Sequence, residues 1–305
     1  MHEYIASDKL RFSLVIPTYE SPVNLDKCLR AVLAQSTKSH SLEIIVVNDG
    51  SKDGLEGYDE ITKRYPELVY LFFKHSGPAA ARNAGIKYAK GDIILFLDDD
   101  SLVTDGWLNA NIKAWQEFPD SAGIGGFVKS TKKDNIYCRT NCYLFNWYLK
   151  QSASDNTSIF LNTCNAGYKK PFLDRIGGFD ESFKNPSGED RDINIRIHRI
   201  SGNLRLDDRI NVYHNRDINL IGFLKKHFDY GKAAFLLYSK YTKLQKLPKR
   251  AYIELFLTIT IKFKRIFEAY AVLLLIILSQ IATLFGYISA SLLKRKKVKK
   301  CLPSL

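Results

Sequence analysis

Four short apolar runs, Phe12 to Ile16, Leu42 to Val47, Val69 to Phe73 and Ile93 to Leu97, alternate with stretches whose apolar residues recur at helical spacing. That alternation confines the N-terminal part of the chain to a parallel-type sheet covered by helices, an α/β fold. Leu25, Cys28, Leu29, Val32 and Leu33 carry the first helical repeat, after Pro17 has stopped the first run. Pro78 to Tyr88 reads as a helix with proline in its first turn, a position that tolerates the missing N–H.

Three of the runs end in polar residues: Pro17, Thr18, Tyr19 and Glu20 after the first, Asn48 and Asp49 after the second, Asp98, Asp99 and Asp100 after the fourth. Open α/β sheets bind ligands outside the carboxyl ends of their strands, so these residues converge on one edge. Three adjacent carboxylates repel and shift one another's pKa. A divalent cation that holds a phosphate-bearing ligand offsets that repulsion. On the residues alone, a solvated turn with capping aspartates explains the triplet equally well.

With 305 residues, 46% of them hydrophobic, the chain supports a substantial core. Its net charge of +13 is unevenly placed. Residues 225–305 hold 17 Lys+Arg against 3 Asp+Glu, whereas residues 1–224 hold 28 against 29. The basic segment also contains the uncharged apolar run Ala269 to Leu293, about 25 residues and long enough to cross a bilayer core. A membrane surface, and not nucleic acid, is the partner this implies. The odd count of five cysteines, without a framework spacing, suits a reducing compartment. Cys138 and Cys142 have no second Cys/His pair nearby to complete a zinc site. No long apolar stretch precedes Arg11, so no signal peptide is expected and the first domain is expected in the cytoplasm.

No GxGxxG follows the first run and no GxxxxGK[ST] occurs, which removes the main support for a Rossmann dehydrogenase or a P-loop NTPase. The segments LVIPTYESPVNLDKCLRAVLAQS, EIIVVNDGSKDG, GPAAARNAGIKYAKGDIILFLDDDSLV, NAGYKKPFLDRIGGFDESF and GEDRDINIRI, over about residues 11 to 215, resemble in order the motifs of family 2 glycosyltransferases. The resemblance implies a GT-A fold, a Rossmann-like mixed sheet with flanking helices, followed here by C-terminal membrane-associated helices. It divides the chain into a catalytic domain over 1–220, with a donor half at about 11–128 and an acceptor half at 129–220. A basic amphipathic, interfacial segment over 221–250, a membrane-embedded helix or hairpin over 251–293 and a basic cytoplasmic tail over 294–305 follow.

The resemblance also assigns roles. Pro17, Thr18, Tyr19 and Glu20 line the nucleotide site, and Asp49 accepts the imino hydrogen of a uracil-type base. The family commonly has Asp where this chain has Asn48, and Asn where it has Glu20. Arg82, beside Asn83, reaches the diphosphate or the aspartates. Asp98 binds the ribose side, Asp99 touches the nucleotide or caps a turn, and Asp100 holds Mn2+ or Mg2+ with His214 as second ligand. Asp190 of the GED motif is the base that takes the acceptor proton. Glu189, Asn165 and Gly167 stand on the acceptor side, with Phe179 and Asp180 shaping the same wall. Glu189 and Asp190 begin a helix, and the dipole at its start favours the ionised form of Asp190.

The implied reaction is inverting transfer of a sugar from a nucleoside-diphosphate sugar, UDP-type favoured, to a hydroxyl of a membrane-near glycan or lipid-linked acceptor. The QxxRW motif of processive members has no full counterpart in GFLKKHFDYGKAA, where Phe228 stands in for the Trp, so non-processive transfer is expected. The inner membrane with the catalytic domain facing the cytoplasm is the expected location. Six basic residues after Leu293 oppose a single outward span, which leaves two membrane-embedded helices or a re-entrant hairpin near Ser279, Gln280 and Gly286. An inactive nucleotide-sugar-binding membrane adaptor and a polyprenyl-phosphate glycosyltransferase remain as other readings.

Overall fold

The computed structural model describes residues 10–35, 42–52, 55–132, 134–154, 157–158, 160–183, 187–241, 249–263 and 265–301. In chain order the elements are β1 (Phe12–Thr18), α1 (Pro22–Leu33), β2 (Leu42–Asn48), α2 (Leu55–Arg64), β3 (Val69–Phe72), α3 (Pro78–Tyr88), β4 (Ile93–Leu97), β5 (Ser101–Val103), α4 (Trp107–Glu117) and β6 (Ser121–Ser130). Then come α5 (Ile136–Ser152), β7 (Ala153–Ser154), β8 (Thr157–Ser158), β9 (Asn165–Lys169), α6 (Lys170–Ile176), α7 (Glu189–Arg199), β10 (Asn203–His214), α8 (Leu220–Lys240), α9 (Lys249–Lys262) and α10 (Ile266–Cys301). They fall into two units, residues 1–131 with 153–215 and residues 132–152 with 216–305.

The first unit is built on an eight-stranded sheet in the order β3-β2-β1-β4-β9-β6-β10-β5. Neighbours β3 to β4 run parallel, while β9 enters antiparallel between β4 and β6. All five residues of β4 are buried, as expected of a central strand covered on both faces. Gly85 lets α3 approach β1 closely, because a Cβ there would lie 2.3 Å from Val15 Cγ1. Contrary to the sequence expectation, β1 runs through Pro17 to Thr18. Its pairing with β4 ends at Val15, whereas pairing with β2 continues to Thr18. Pro17 therefore sits where β1 has one neighbour, and its missing N–H breaks no ladder.

The run INVYH, Ile210 to His214, reads as strand-like from the sequence, and it forms only the last residues of the polar strand β10. β10 pairs with β6 over most of its length, but between Leu206 and Asn211 it carries more residues than β6 does between Gly125 and Phe127. This bulge brings the Ile210 carbonyl against Gly126, where a Cβ would be 1.8 Å from it.

In the second unit α8 and α10 pack antiparallel through two glycines. A Cβ on Gly231 would lie 1.9 Å from the Thr283 carbonyl, and one on Gly286 would lie 1.9 Å from the Phe228 carbonyl. Tyr143 and Leu144 of α5 share a core with Leu255 and Ile259 of α9 and with Val272 and Ile276 of α10. The hairpin anticipated near Ser279, Gln280 and Gly286 is absent, since α10 continues through all three. Ser279 and Thr283 donate their hydroxyl hydrogens to carbonyls of their own helix, Ile276 and Ser279, a back-bond compatible with helical backbone. Within Ile266–Lys294 the most apolar 18-residue window has a mean hydropathy of 2.3, and 28% of that window is buried. By length and composition this is a helix able to cross a bilayer. Residues 1–9, 242–248 and 302–305 of the expected segments lie outside the described residues.

Candidate active site

The carboxyl ends of β1, β2 and β4 do meet. Thr18 donates to Asp99 Oδ2 at 2.7 Å and shares a 3.1 Å hydrogen bond with the Tyr58 hydroxyl. Tyr58 in turn accepts from the backbone N–H of Ser21 at 3.0 Å, so it ties the loop after β1 to α2. Glu20 has a left-handed φ of 51°. Its own N–H donates to Ser51 Oγ, and its carboxylate accepts from the Lys52 N–H. Asn48 accepts from the Ser51 N–H at 2.9 Å, an Asx-type turn. Gly50 has φ of 75°, and a Cβ there would lie 2.4 Å from His75 N, which pins the loop before α3 against this turn.

Asp49 is buried. Its Oδ1 accepts from the Ser76 N–H at 2.8 Å and its Oδ2 from the Gly77 N–H at 2.9 Å. His75 Nδ1 lies 2.9 Å from the same Oδ2. The His75 ring stacks on Tyr19, with centroids 4.3 Å apart. Neither His75 nor Tyr58 stood out in the sequence, because no motif spacing marks a residue whose role comes from a loop folded across two strands.

Arg82, on α3, links the two halves of the motif set. Its guanidinium donates to Asp98 Oδ1 at 2.7 Å and to Glu189 Oε1 at 3.0 Å and is itself buried. A planar fork that serves two carboxylates at once is a geometry lysine lacks. Burial raises the Glu189 pKa against the opposing pull of Arg82. Glu189 Oε2 and Arg82 Nε are buried without hydrogen-bond partners.

The Asp190 carboxyl accepts from the Arg191 N–H at 2.7 Å, yet its pKa is pushed up to about 7, by burial first and by repulsion from Glu189 second. Burial and Glu189 thus oppose the ionised form that the helix start favours. Asp99 is also pushed up to about 7, chiefly by burial, with the Thr18 hydrogen bond opposing and Asp100 and Asp98 adding repulsion. Expected pointing toward an acceptor, Asn165 is spent inside the sheet. It accepts from Trp107 Nε1 and donates to the Phe127 and Ile210 carbonyls. Gly167 faces Leu95, 2.5 Å from where its Cβ would be. Both are strand positions of β9, not parts of an acceptor surface. Phe179 packs edge-on against Phe96 and under Arg82, and Asp180 caps the turn by accepting from the Ser182 N–H.

β5 and β10 bring Asp100 and His214 together, because His214 pairs with Ser101. His214 Nε2 is 3.3 Å from Asp100 Oδ1, an oxygen that is buried and accepts no hydrogen bond. Adjacent ligands of an octahedral ion with bonds of about 2.1 Å stand about 3 Å apart, so the two donors fit one divalent cation. Among the described residues no group of three or more His, Cys, Asp or Glu is placed to hold a metal. A cation on Asp100 and His214 would take its remaining ligands from water and substrate, as Mg2+-type ions commonly do.

A mixed sheet that gathers a turn carboxylate, an aspartate triplet and an acidic helix start along one edge defines the GT-A class of fold. The mannosyltransferase PcManGT from Pyrobaculum calidifontis, solved in complex with GDP-Man and Mn2+, shares it at a TM-score of 0.62 and 17% identity, over 94% of this chain and 87% of that one. Residues 13–177 match the glycosyl transferase family 2 model, and the chain belongs to that family. Glycosyltransferase GlyA of Streptococcus pneumoniae is 26% identical over 172 residues, covering 55% of this chain and 23% of the relative. The minor teichoic acid biosynthesis protein GgaB of Bacillus subtilis is 36% identical over 115 residues, covering 37% of this chain and 13% of the relative. The chain spans less than a quarter of the length of either relative.

Proposed function

We infer that the protein is an inverting, divalent-metal-dependent glycosyltransferase. It moves a sugar from a nucleoside-diphosphate sugar, UDP-type favoured, to a hydroxyl of a membrane-near glycan or lipid-linked acceptor. The observation that carries this is Arg82, which joins the aspartate triplet to the acidic start of α7 through Asp98 and Glu189. Donor-side and acceptor-side carboxylates are thereby held in one rigid frame, the positioning such a transfer needs.

Asp100 and His214 would hold Mn2+ or Mg2+, which when bound supplies Lewis-acid stabilisation of the diphosphate leaving group. Asp49 takes the base, Tyr19 and Pro17 lie beneath it, and Asp98 holds the ribose side. Asp99, which accepts the Thr18 hydroxyl hydrogen, keeps the end of β1 against the aspartate triplet. Asp190 takes the proton of the acceptor hydroxyl, and Glu189 orients the helix start through Arg82. The exposed apolar residues of α10, among them Phe267, Leu284 and Phe285, support residence at a membrane, with the sugar-nucleotide site on the cytoplasmic side of the inner membrane. They also favour a lipid-borne acceptor. If the accepting group is a polyprenyl phosphate, already ionised, Asp190→Asn keeps substantial activity; with a sugar hydroxyl acceptor that variant loses about 10²–10⁴-fold.

Calorimetric titration of UDP, with and without manganese, into the full chain and into Asp100→Ala tests the reading. Metal-dependent binding that disappears in the variant is the expected result. Equal binding with and without the metal in both proteins would remove the metal role, and absence of nucleotide binding would favour a family member that has lost the activity.

A further inference from the structure

The Asp190 carboxyl accepts from the N–H of Arg191, the next residue along, so that bond moves with the helix start and does not place it. Asn194, one turn further along α7 and fully buried, does. Its Nδ2 donates to the Asp190 carbonyl at 2.6 Å and to the Leu161 carbonyl at 2.7 Å, and its Oδ1 accepts from the Tyr168 hydroxyl at 2.9 Å. The amide sits this way round because a flip would turn Oδ1 toward two carbonyl oxygens. Burial first, and the charge of Asp190 second, push the Tyr168 pKa up, which keeps its proton available to Asn194. Tyr168 is anchored in turn. It lies on β9 opposite Ile94 of β4 and Gly123 of β6, and its ring fills the space beside Gly123, where a Cβ would lie 2.7 Å from Cδ1.

Resting on the reading that Asp190 takes the acceptor proton, we propose that Tyr168 and Asn194 are positioning residues that tie the backbone of Asp190 to the strand pair β4–β9. β4 ends at Leu97 and leads directly into the aspartate triplet, so Asp190 and the triplet are held to the same two strands. The Arg82 bridge grips the neighbouring side chain, Glu189, whereas the Asn194 amide grips the Asp190 main chain. Held at both points, the first turn of α7 has little freedom to slide or rotate. A Phe and Leu pair of similar size would fill this core at little cost in stability, so what the polar pair adds is direction. Direction matters to a base, since a displacement of about 1 Å costs on the order of a hundredfold in rate.

Release of UDP from UDP-glucose and from UDP-N-acetylglucosamine by the full chain in manganese, with water as the acceptor, supplies a rate, and calorimetry with UDP supplies an affinity. Tyr168→Phe, which removes the hydroxyl alone, should lower kcat about tenfold with at least one donor and leave the UDP Kd unchanged. In an Asp190→Asn background the same substitution should have no further effect on kcat, because a positioning residue acts only through the group it positions. Tyr168→Phe together with Asn194→Leu removes both members of the hydrogen bond. It should show the same pattern with a larger loss, and it carries the test if the single variant fails to fold. Losses from Tyr168→Phe and Asp190→Asn that multiply overturn the proposal and leave Asp190 as the base. An unchanged kcat in both Tyr168 variants does the same, as does a fall in kcat matched by an equal weakening of UDP binding, the mark of a merely structural loss. Asp190→Asn as fast as the natural protein, or no UDP release from either donor, removes that reading and this proposal together.

Discussion

At the scale of single residues, Asp190 shows a conflict between folding and chemistry. Its native pKa near 7 lies above that of an unfolded aspartate, about 4. Between those values the native state binds more protons than the unfolded one. The stability contribution is therefore fully present below about pH 4 and is lost as pH rises through about 7. Asp190→Asn removes this penalty. It should unfold at higher urea than the natural protein at about pH 8, with the gap closing by about pH 4. Turnover onto a hydroxyl acceptor should fall about 10²–10⁴-fold. Urea midpoints at the two pH values, beside steady-state rates, check both parts; a variant less stable at the higher pH would contradict the sign. In the natural enzyme the acid limb of kcat/KM should show an apparent pKa near 7 that belongs to the Glu189–Asp190 pair jointly.

At the scale of elements, β10 is the strand the site depends on and the one the sequence disclosed least. β1, β2 and β4 were legible because strands buried on both faces read as unbroken apolar runs, and the bounds of β4 follow directly from that pattern, while β3 is a half-buried edge strand whose residues are apolar all the same. β10 alternates polar and apolar residues, includes a bulge and pairs with β6 some eighty residues earlier, so only its end, INVYH, suggested a strand. His214 could be nominated from the resemblance, but its meeting with Asp100 depends on β5 and β10 pairing, which no local pattern encodes. For the same reason Asn165 could not be told from an exposed polar residue until Trp107 and the strands around it were in place. Gly126 makes the bulge possible. Gly126→Ala should destabilise the fold by about 1–3 kcal/mol through overpacking and weaken manganese-dependent nucleotide binding by moving His214. Thermal melts and calorimetry on the one variant read both; intact metal dependence together with a lowered melting temperature would separate the bulge from the site.

At the scale of the whole molecule, the charge asymmetry and the long apolar run were plain in the sequence, while the unbroken course of α10 was not, because Ser, Gln and Gly are compatible with a helix and with a turn alike. The apolar faces of α10 and α9, with Ile253, Leu257, Leu274 and Phe285 exposed, predict that the full chain floats with vesicles and that added anionic lipid increases the bound fraction in a salt-sensitive way. Flotation in low and high salt measures this; a chain that stays at the bottom of the gradient with every lipid composition would remove the membrane from the account. The order in which the polypeptide is made carries a further consequence. Helix α5 is inserted between two stretches of the sheet-bearing unit, yet its core partners come from the far end of the chain, as in the hydrogen bond from Tyr143 to the Leu255 carbonyl, 112 residues later. At about 5–20 residues per second, a ribosome delivers that partner on the order of ten seconds after α5 emerges. Throughout that interval the nascent chain carries the Tyr143–Leu144 face of α5 without the α9 and α10 residues that cover it, and cutting the gene short before α9 would make that transient exposure permanent.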